Sequence, residues 1–477
     1  MKISGTFSGF IWSFGERIFA QTVSAIVGIV LARILLPNEY GVVSIVMVFI
    51  NICDVFVNSG FGTALVQKKN VTKDDYGTAL SISSAISFTL YILLFIAAPF
   101  IAEFYDQEII LNIIRVMGLR IIIAAFNNIQ QAKCQREMNF KLFFMATSLG
   151  TFVSGVLGVL AAYNGFGAWA LVVQYLSNSI VDTIVLNIAG HIRIKPCFDK
   201  ECANHIFKFG SKVLGSSLVY TIDSQIRSMA IGKVFGPGKL AYYDQGNRYP
   251  ALIVTSINAA MQKVLLPTFS RKQDDIENLK EALRKSVSFS LFCLAPVLLG
   301  FFSVSDVFVR IFLTEKWLKA VPYLEIFCLY YLTRPFESSC HQALLAIGRS
   351  GIVFKTMLFV DGTGLLLALL AIFVFRNVLL VAVFMLISTL ISIVCFSYYS
   401  KKYIFYSWKE QIIDVIRPIC IAGSMGIIVY FFQYVRLDST VLQLCLQIIT
   451  GMVIYAVLSV MFQRDKVNIL LQFLKRG

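Results

Sequence analysis

The chain has 477 residues, 57% of them hydrophobic and only 14% charged, with a mean hydropathy of +0.75; a soluble domain carries about 45–50% apolar and about 25% charged residues. This is the composition of a membrane protein, and it excludes a sizeable soluble catalytic domain. The net charge of +15, from 42 Lys and Arg against 27 Asp and Glu, is assigned to cytoplasmic loops rather than to a nucleic-acid surface, because Lys and Arg are retained on that side of the bilayer.

Apolar runs of about 20 residues, broken by turn and charge signals, predict an all-α polytopic chain with helices at 9–34, 40–61, 77–102, 110–132, 143–163, 168–191, 209–234, 242–265, 286–312, 320–346, 351–375, 377–399, 411–434 and 439–462. The first carries Glu16 and Arg17 and has no small-residue cleavage site, so it reads as a retained span rather than a signal peptide. Arg17, Gln21, Ser24 and Gly28 share one of its faces. Span two spaces Ser44, Asn51 and Asn58 seven apart, with Asp54 beside them. In span four Arg120, Ala124, Asn127 and Gln131 lie on one face, with no acid there to meet Arg120. Span seven aligns Ser216, Tyr220, Asp223 and Arg227, and span eight aligns Asp244, Arg248, Thr255, Asn258 and Gln262.

The connection 270–285 places Ile276, Leu279 and Leu283 on one side, the pattern of a short amphipathic helix on the cytoplasmic surface. Pro250, Pro296 and Pro335 are placed to kink spans eight, nine and ten. Arg334 has Glu337 and His341 within a helical turn or two, and Asp414 with Arg417 reads as a local pair in span thirteen. Arg115 sits near Glu103, Asp106 and Glu108 and reads as an interface anchor.

With the N-terminus in the cytoplasm, the inside loops and their flanking turns carry 27 Lys and Arg, and the outside ones carry 8. That asymmetry places both termini in the cytoplasm and requires an even number of spans. The ten cysteines are single and the three histidines scattered, so neither a metal nor a redox site is expected. Gly236-Pro237-Gly238-Lys239 is a glycine-rich turn without the upstream glycine of a nucleotide-binding loop. No cofactor is implied.

The turn Arg33-Ile34-Leu35-Leu36-Pro37-Asn38-Glu39-Tyr40-Gly41 recurs in pattern at Lys233-Val234-Phe235-Gly236-Pro237-Gly238-Lys239-Leu240-Ala241, an offset of 200, and Asn58 and Asn258 share that offset. Two parallel six-helix repeats follow: a lobe at 1–191, a basic cytoplasmic linker at 192–208, a second lobe at 209–399, and appended helices 13 and 14 at 400–477. An ionisable residue inside a span costs about 2.5–3.5 kcal/mol on insertion scales, so polar rows on several helices call for partners or a hydrated cavity. The substrate-binding candidates are Arg17, Arg120, Arg227, Arg248, Arg334, Asn58 and Asn258, and the ion-coupling candidates are Asp54, Asp223 and Asp244. The guanidinium fork suits phosphate oxygens. For Asp223 with Arg227, Asp244 with Arg248 and Arg334 with Glu337, plain structural pairing competes with that reading.

The runs Trp12-Ser13-Phe14-Gly15-Glu16-Arg17, Leu31 to Gly41, and Asn58-Ser59-Gly60-Phe61-Gly62-Thr63-Ala64-Leu65-Val66-Gln67 resemble the Wzx-type polysaccharide-exporter flippases of the multidrug/oligosaccharidyl-lipid/polysaccharide (MOP) exporter superfamily, in the colanic-acid-exporter branch. Leu266-Pro267-Thr268-Phe269-Ser270-Arg271 with Asp274-Asp275, and Glu315-Lys316-Trp317, carry the same resemblance, which spans about residues 5 to 345. The resemblance implies two six-helix lobes in a V, no catalytic residue, and movement of undecaprenyl-pyrophosphate-linked oligosaccharide across the bacterial inner membrane. The implied partners are that lipid-linked oligosaccharide and membrane lipid, with a polysaccharide polymerase and glycosyltransferases beside them. Alternating access would pass the glycan through the cavity while the polyprenyl tail stays in lipid between the lobes. The competing readings are a flippase for the peptidoglycan lipid precursor, a drug/cation antiporter of the same superfamily, and a non-transporting scaffold docking enzymes on 191–208 and 263–285. Polar rows through five spans disfavour the scaffold.

The charge asymmetry makes a direct prediction. Reporter fusions after Lys69, Lys200 and Lys272 and at Gly477 report the cytoplasm, and fusions near Glu108, Asn164 and Lys316 report the outside. Reversal at Lys200 or Lys272 would remove the fourteen-span topology.

Overall fold

In the computed structural model of the chain the described residues are 3–58, 60–68, 71–190, 194–432 and 439–468. The side chains of Arg17 and Asn258 lie outside that set, as do His191 to Arg193 of the linker and the C-terminal residues from 469. No strand occurs among the described residues. Ten helices among them are long and apolar enough to cross a membrane. The chain divides into two compact units, Met1–Ala241 and Tyr242–Gly477.

The first unit contains α1 (Ile3–Ile34), α2 (Pro37–Asn58), α3 (Phe61–Gln67), α4 (Lys73–Tyr105), α5 (Ile109–Met117), α6 (Leu119–Arg136), α7 (Phe140–Tyr163), α8 (Ala168–Ala189) and α9 (Lys200–Phe235). Helix starts follow capping chemistry. Thr72 Oγ1 accepts from the backbone of Asp75 while the Asp75 carboxylate accepts from the backbone of Thr72, and Asp199 accepts from the first amides of α9. Outside the packed faces, α4 turns Phe88, Leu93, Ile96 and Phe100 outward. Apolar exposure of that kind is what a hydrocarbon surround permits, since lipid replaces the core as the apolar partner.

Helix α7 owes its packing to a row of small residues. Ala146, Gly150, Ser154, Gly158 and Ala162 recur every four residues and all are buried. A Cβ on Gly158 would come within 2.9 Å of Gln174 Cβ on α8, and one on neighbouring Gly155 within 2.5 Å of Val27 on α1. Helices with no hydrophobic drive to associate gain contact by close backbone approach, which small residues allow. Helix α9 packs on α2, α3 and α4. It does so through glycines: Gly210 meets Gly60, which has φ of 115°, and Gly232 leaves room for Ile45. Lys233 bonds Asp106 at 3.1 Å, and Tyr105 donates to the Met229 carbonyl.

Helix α10 (Pro237–Ser270) leads into the second unit, which continues with α11 (Ile276–Ser303), α12 (Ser305–Phe308), a π turn at Val309–Leu313, a 3-10 turn at Glu315–Ala320, α13 (Val321–Leu332), α14 (Arg334–Ala346), α15 (Ser350–Leu369), α16 (Val378–Ile404), α17 (Trp408–Phe431) and α18 (Thr440–Phe462). The amphipathic segment expected as a separate surface helix is the opening of α11 itself, with Leu279 and Leu283 buried in the core. Asp275 caps it, and the hydrogen bonds it accepts from the backbone and side chain of Asn278 hold its carboxyl below the usual carboxylate range. Span ten is broken at Thr333 into α13 and α14, with Pro335 in the first turn of α14, where its missing N–H costs no hydrogen bond. Pro296 lies inside α11.

Helix α17 lies against α11 rather than standing apart. Ser303 donates to the Gly426 carbonyl at 2.8 Å, and Tyr455 of α18 donates to the Phe292 carbonyl at 2.6 Å.

The two turns related by the offset of 200 meet at one point: a Cβ on Gly41 would sit 1.8 Å from the Pro237 carbonyl oxygen. The Gly41→Ala variant is expected to lose about 1–3 kcal/mol of stability by overpacking, read as a lowered thermal unfolding midpoint in detergent. Gly238→Ala, whose Cβ would meet nothing within 4 Å, is expected to leave that midpoint unchanged.

Candidate functional site

In the first unit α2 and α6 bring Asp54 and Arg120 together. Arg120 Nη2 lies 3.3 Å from Asp54 Oδ2, with side chains 24% and 14% exposed. The acid that span four lacks on its own face is thus supplied by span two. The other guanidinium nitrogen of Arg120 faces Met47 Sδ at 3.9 Å, and Asp54 Oδ1 has no hydrogen-bond partner. On α9, Arg227 forms an ion pair with Asp223 one turn earlier and points its Nε at the Asp223 carbonyl. Both are partly buried on α9, so the pair carries a compact dipole on that helix.

Asn58 ends α2 and is exposed. Asp244 and Arg248 are half-buried on α10, and neither is without a partner. Arg115, expected as an interface anchor, lays its guanidinium over the Phe95 ring at 4.2 Å.

Helical spacing puts Asn127 and Gln131 on one face with Arg120. The structure gives them a different task. Asn127 Nδ2 donates to Asp182 Oδ2 at 2.9 Å and to Thr183 Oγ1 at 3.3 Å, while Gln131 Nε2 donates to the same carboxylate oxygen at 3.2 Å. Asp182 is 8% exposed. It was legible as the one acid of span six, but the partner helix was not.

In the second unit Arg334 bonds Glu337 at 3.0 Å and stacks over the Tyr330 ring, while the other Glu337 oxygen accepts from Ser392. Asp414 does not form the local pair expected with Arg417; Arg284 reaches it from α11 at 2.8 Å. Arg284 and Lys280 also bind Glu410, at 3.1 and 2.8 Å, and Tyr406 donates to Asp414. Four charges and a hydroxyl so lock α17 to the start of α11. Between α11, α17 and α18 lies an apolar cavity of about 850 Å³, walled by Phe292, Pro296, Phe301, Met425, Ile448 and Met452, with Gln447 among its few polar groups.

These helices form a known transporter fold. The Lipid II flippase MurJ in its inward closed conformation aligns with a TM-score of 0.77 over 97% of this chain and 100% of its own, at 16% identity. An inward-facing MATE transporter of the MOP superfamily aligns with a TM-score of 0.63 over 80% of this chain and 94% of its own, at 16% identity. The fold is therefore that of multi-pass membrane transporters. The family model described as polysaccharide biosynthesis protein matches residues 30–322, more than half of the chain, and the chain belongs to that family. Relatives include the lipopolysaccharide biosynthesis protein WzxC of Escherichia coli K12, 23% identical over 74% of each chain. The teichuronic acid biosynthesis protein TuaB of Bacillus subtilis is 24% identical over 79% of this chain and 78% of its own, and the succinoglycan biosynthesis transport protein ExoT of Rhizobium meliloti 23% identical over 68% and 66%. The resemblance drawn from the sequence motifs is upheld by these matches.

The Asp223 and Arg227 pair separates a working role from a packing role. Asp223→Asn, Arg227→Gln and the double variant are expected to lose export to the same extent at matched protein levels. Recovery in the double variant would reduce the pair to a structural one, because a single change leaves an unpaired charge inside the membrane.

Proposed function

We propose that the chain is a flippase that moves undecaprenyl-pyrophosphate-linked oligosaccharide units across the bacterial inner membrane by alternating access, for assembly of a surface polysaccharide. The observation that carries this reading is the family match over residues 30–322. The partly buried guanidinium groups of Arg120, Arg227 and Arg334 support it, since arginine binds phosphate oxygens bidentately. The six-helix lobes 1–191 and 209–399 are the moving parts in this reading, with both termini in the cytoplasm.

Three relatives named for different polymers, lipopolysaccharide, teichuronic acid and succinoglycan, support a shared carrier chemistry with differing glycans. A glycan is too polar for hydrocarbon and a polyprenyl tail too apolar for water, so the carrier must offer both surfaces at once. The polar rows supply the first. The apolar cavity between α11, α17 and α18 supports a place for the tail beside the second unit, and gives the two appended C-terminal spans, α17 and α18, a purpose. A pyrophosphate with two negative charges gains about 2.3 kcal/mol per charge per 100 mV on moving outward in an inside-negative cell, so the membrane potential assists export.

Deleting the gene is expected to trap lipid-linked repeat units on the inner leaflet and to halt the surface polymer, measured by mass spectrometry of extracted lipids. Accumulation of the peptidoglycan lipid precursor instead, or of no lipid-linked intermediate, would overturn the reading.

A further inference from the structure

The Asp182 carboxylate is buried in the first unit without a cation beside it among the described residues. It lies about 10 Å along the axis from the last residue of α8, a helix apolar enough to span a membrane, and is 8% exposed. Its Oδ2 receives Asn127 Nδ2 at 2.9 Å and Gln131 Nε2 at 3.2 Å. Its Oδ1 is buried with no hydrogen-bond partner, and among the described residues no cation pairs with it. A buried carboxylate with one oxygen saturated and the other open is a site awaiting a small cation.

The surroundings decide which cation. A metal ion such as sodium needs a shell of oxygens, but the amides here turn N–H groups to the carboxylate. Asn127 Oδ1 is occupied by Gln131 at 2.6 Å, and Thr183 Oγ1 takes the Asn127 amide while donating to the Ser179 carbonyl. Asp182 Oδ1 is the buried oxygen of the cluster that receives no donor, and with N–H groups rather than oxygens turned toward the carboxylate the site suits a proton better than a metal shell.

Helices α7, α6, α2 and α5 pack on α8 and bring their own charges near it. α7 contributes Lys141 at its first turn. α6 contributes Arg120, facing Asp54; Lys133, facing Glu137; Arg136, bound to carbonyls at the end of α3; and Cys134. α2 contributes Glu39, Tyr40, Cys53 and Asp54, α5 contributes Arg115 over Phe95, and α8 itself contributes Tyr175. None of these cations forms an ion pair with Asp182.

We propose that Asp182, framed by Asn127, Gln131 and Thr183, is a proton-binding site inside the first unit, through which proton entry is coupled to export. The coupling rests on the flippase reading; the proton binding does not. One O–H bond forms at Oδ1 and the carboxylate becomes a neutral acid, and the same bond breaks when the proton leaves to the opposite aqueous side. The charged form holds two amides of α6, and the neutral form holds them more weakly, so protonation loosens α6 from α8. Gly150 of α7 abuts the backbone and Cβ of Asp182 and leaves space for such a shift. A ligand moves an equilibrium only through a difference in affinity for its two states, and the amide contacts provide that difference.

Infrared difference spectroscopy of the purified full chain in lipid, between alkaline and acid buffer, tests the site directly. The carbonyl stretch of a protonated buried carboxyl is expected in the wild type and absent in Asp182→Asn. Asn127→Ala, which removes a donor that favours the charged form, is expected to shift the midpoint of that band to higher pH. Where Asp182→Asn does not fold, the Asn127→Ala shift alone decides the question. In proteoliposomes carrying lipid-linked oligosaccharide, the ratio of transport with a proton gradient to transport without one is expected to fall to unity in Asp182→Asn. A band that survives in Asp182→Asn, a midpoint unmoved by Asn127→Ala, or a gradient response retained by Asp182→Asn would overturn the proposal. A wild type that shows the band but transports nothing would overturn the coupling and the flippase reading, while leaving the proton site standing.

Discussion

An ionised group inside hydrocarbon has to be met by a partner, at a cost of about 2.5–3.5 kcal/mol on insertion scales if it is not, and that requirement organises both units. Asp54 fixes where α2 meets α6 because Arg120 has to reach it. Glu337 joins Arg334 to Ser392 and so ties α14 to α16. At the polar opening of α11, outside the hydrocarbon, Arg284 meets Glu410 and Asp414 in the same way and turns α17 onto α11. Each pairing is also a joint that cannot slip by a turn without leaving a charge bare.

Between these joints the helices are held by shape. The row from Ala146 to Ala162 lets α7 approach α1 and α8 at backbone distance, and glycine against glycine at Gly60 and Gly210 does the same for α9. Such contacts bury little area and carry no directional bond, so they can slide.

Asp182 departs from the pattern. Amides meet it instead of a cation, and amides stabilise the charge while leaving a proton free to bind. The Arg284 cluster, by contrast, carries both signs at short range and keeps its charges permanently occupied. One arrangement suits a switch and the other a rivet.

Composition and apolar run length determined that the chain is a helical membrane protein, and the run of turn motifs identified its family, because the hydrocarbon thickness and the turn geometry act on consecutive residues. Local charge pairs were equally legible: Asp223 with Arg227 and Arg334 with Glu337 lie a helical turn apart, and the structure forms both. The small-residue row of α7 was present in the sequence at period four but carries no charge to draw attention. What the tertiary structure alone decided is which helix each face meets. Arg120 finds Asp54, Asn127 finds Asp182, and Asp414 finds Arg284 rather than its neighbour Arg417. Helical periodicity specifies the direction in which a side chain points; the identity of the residue waiting there depends on packing between segments far apart in the chain, which no local pattern encodes.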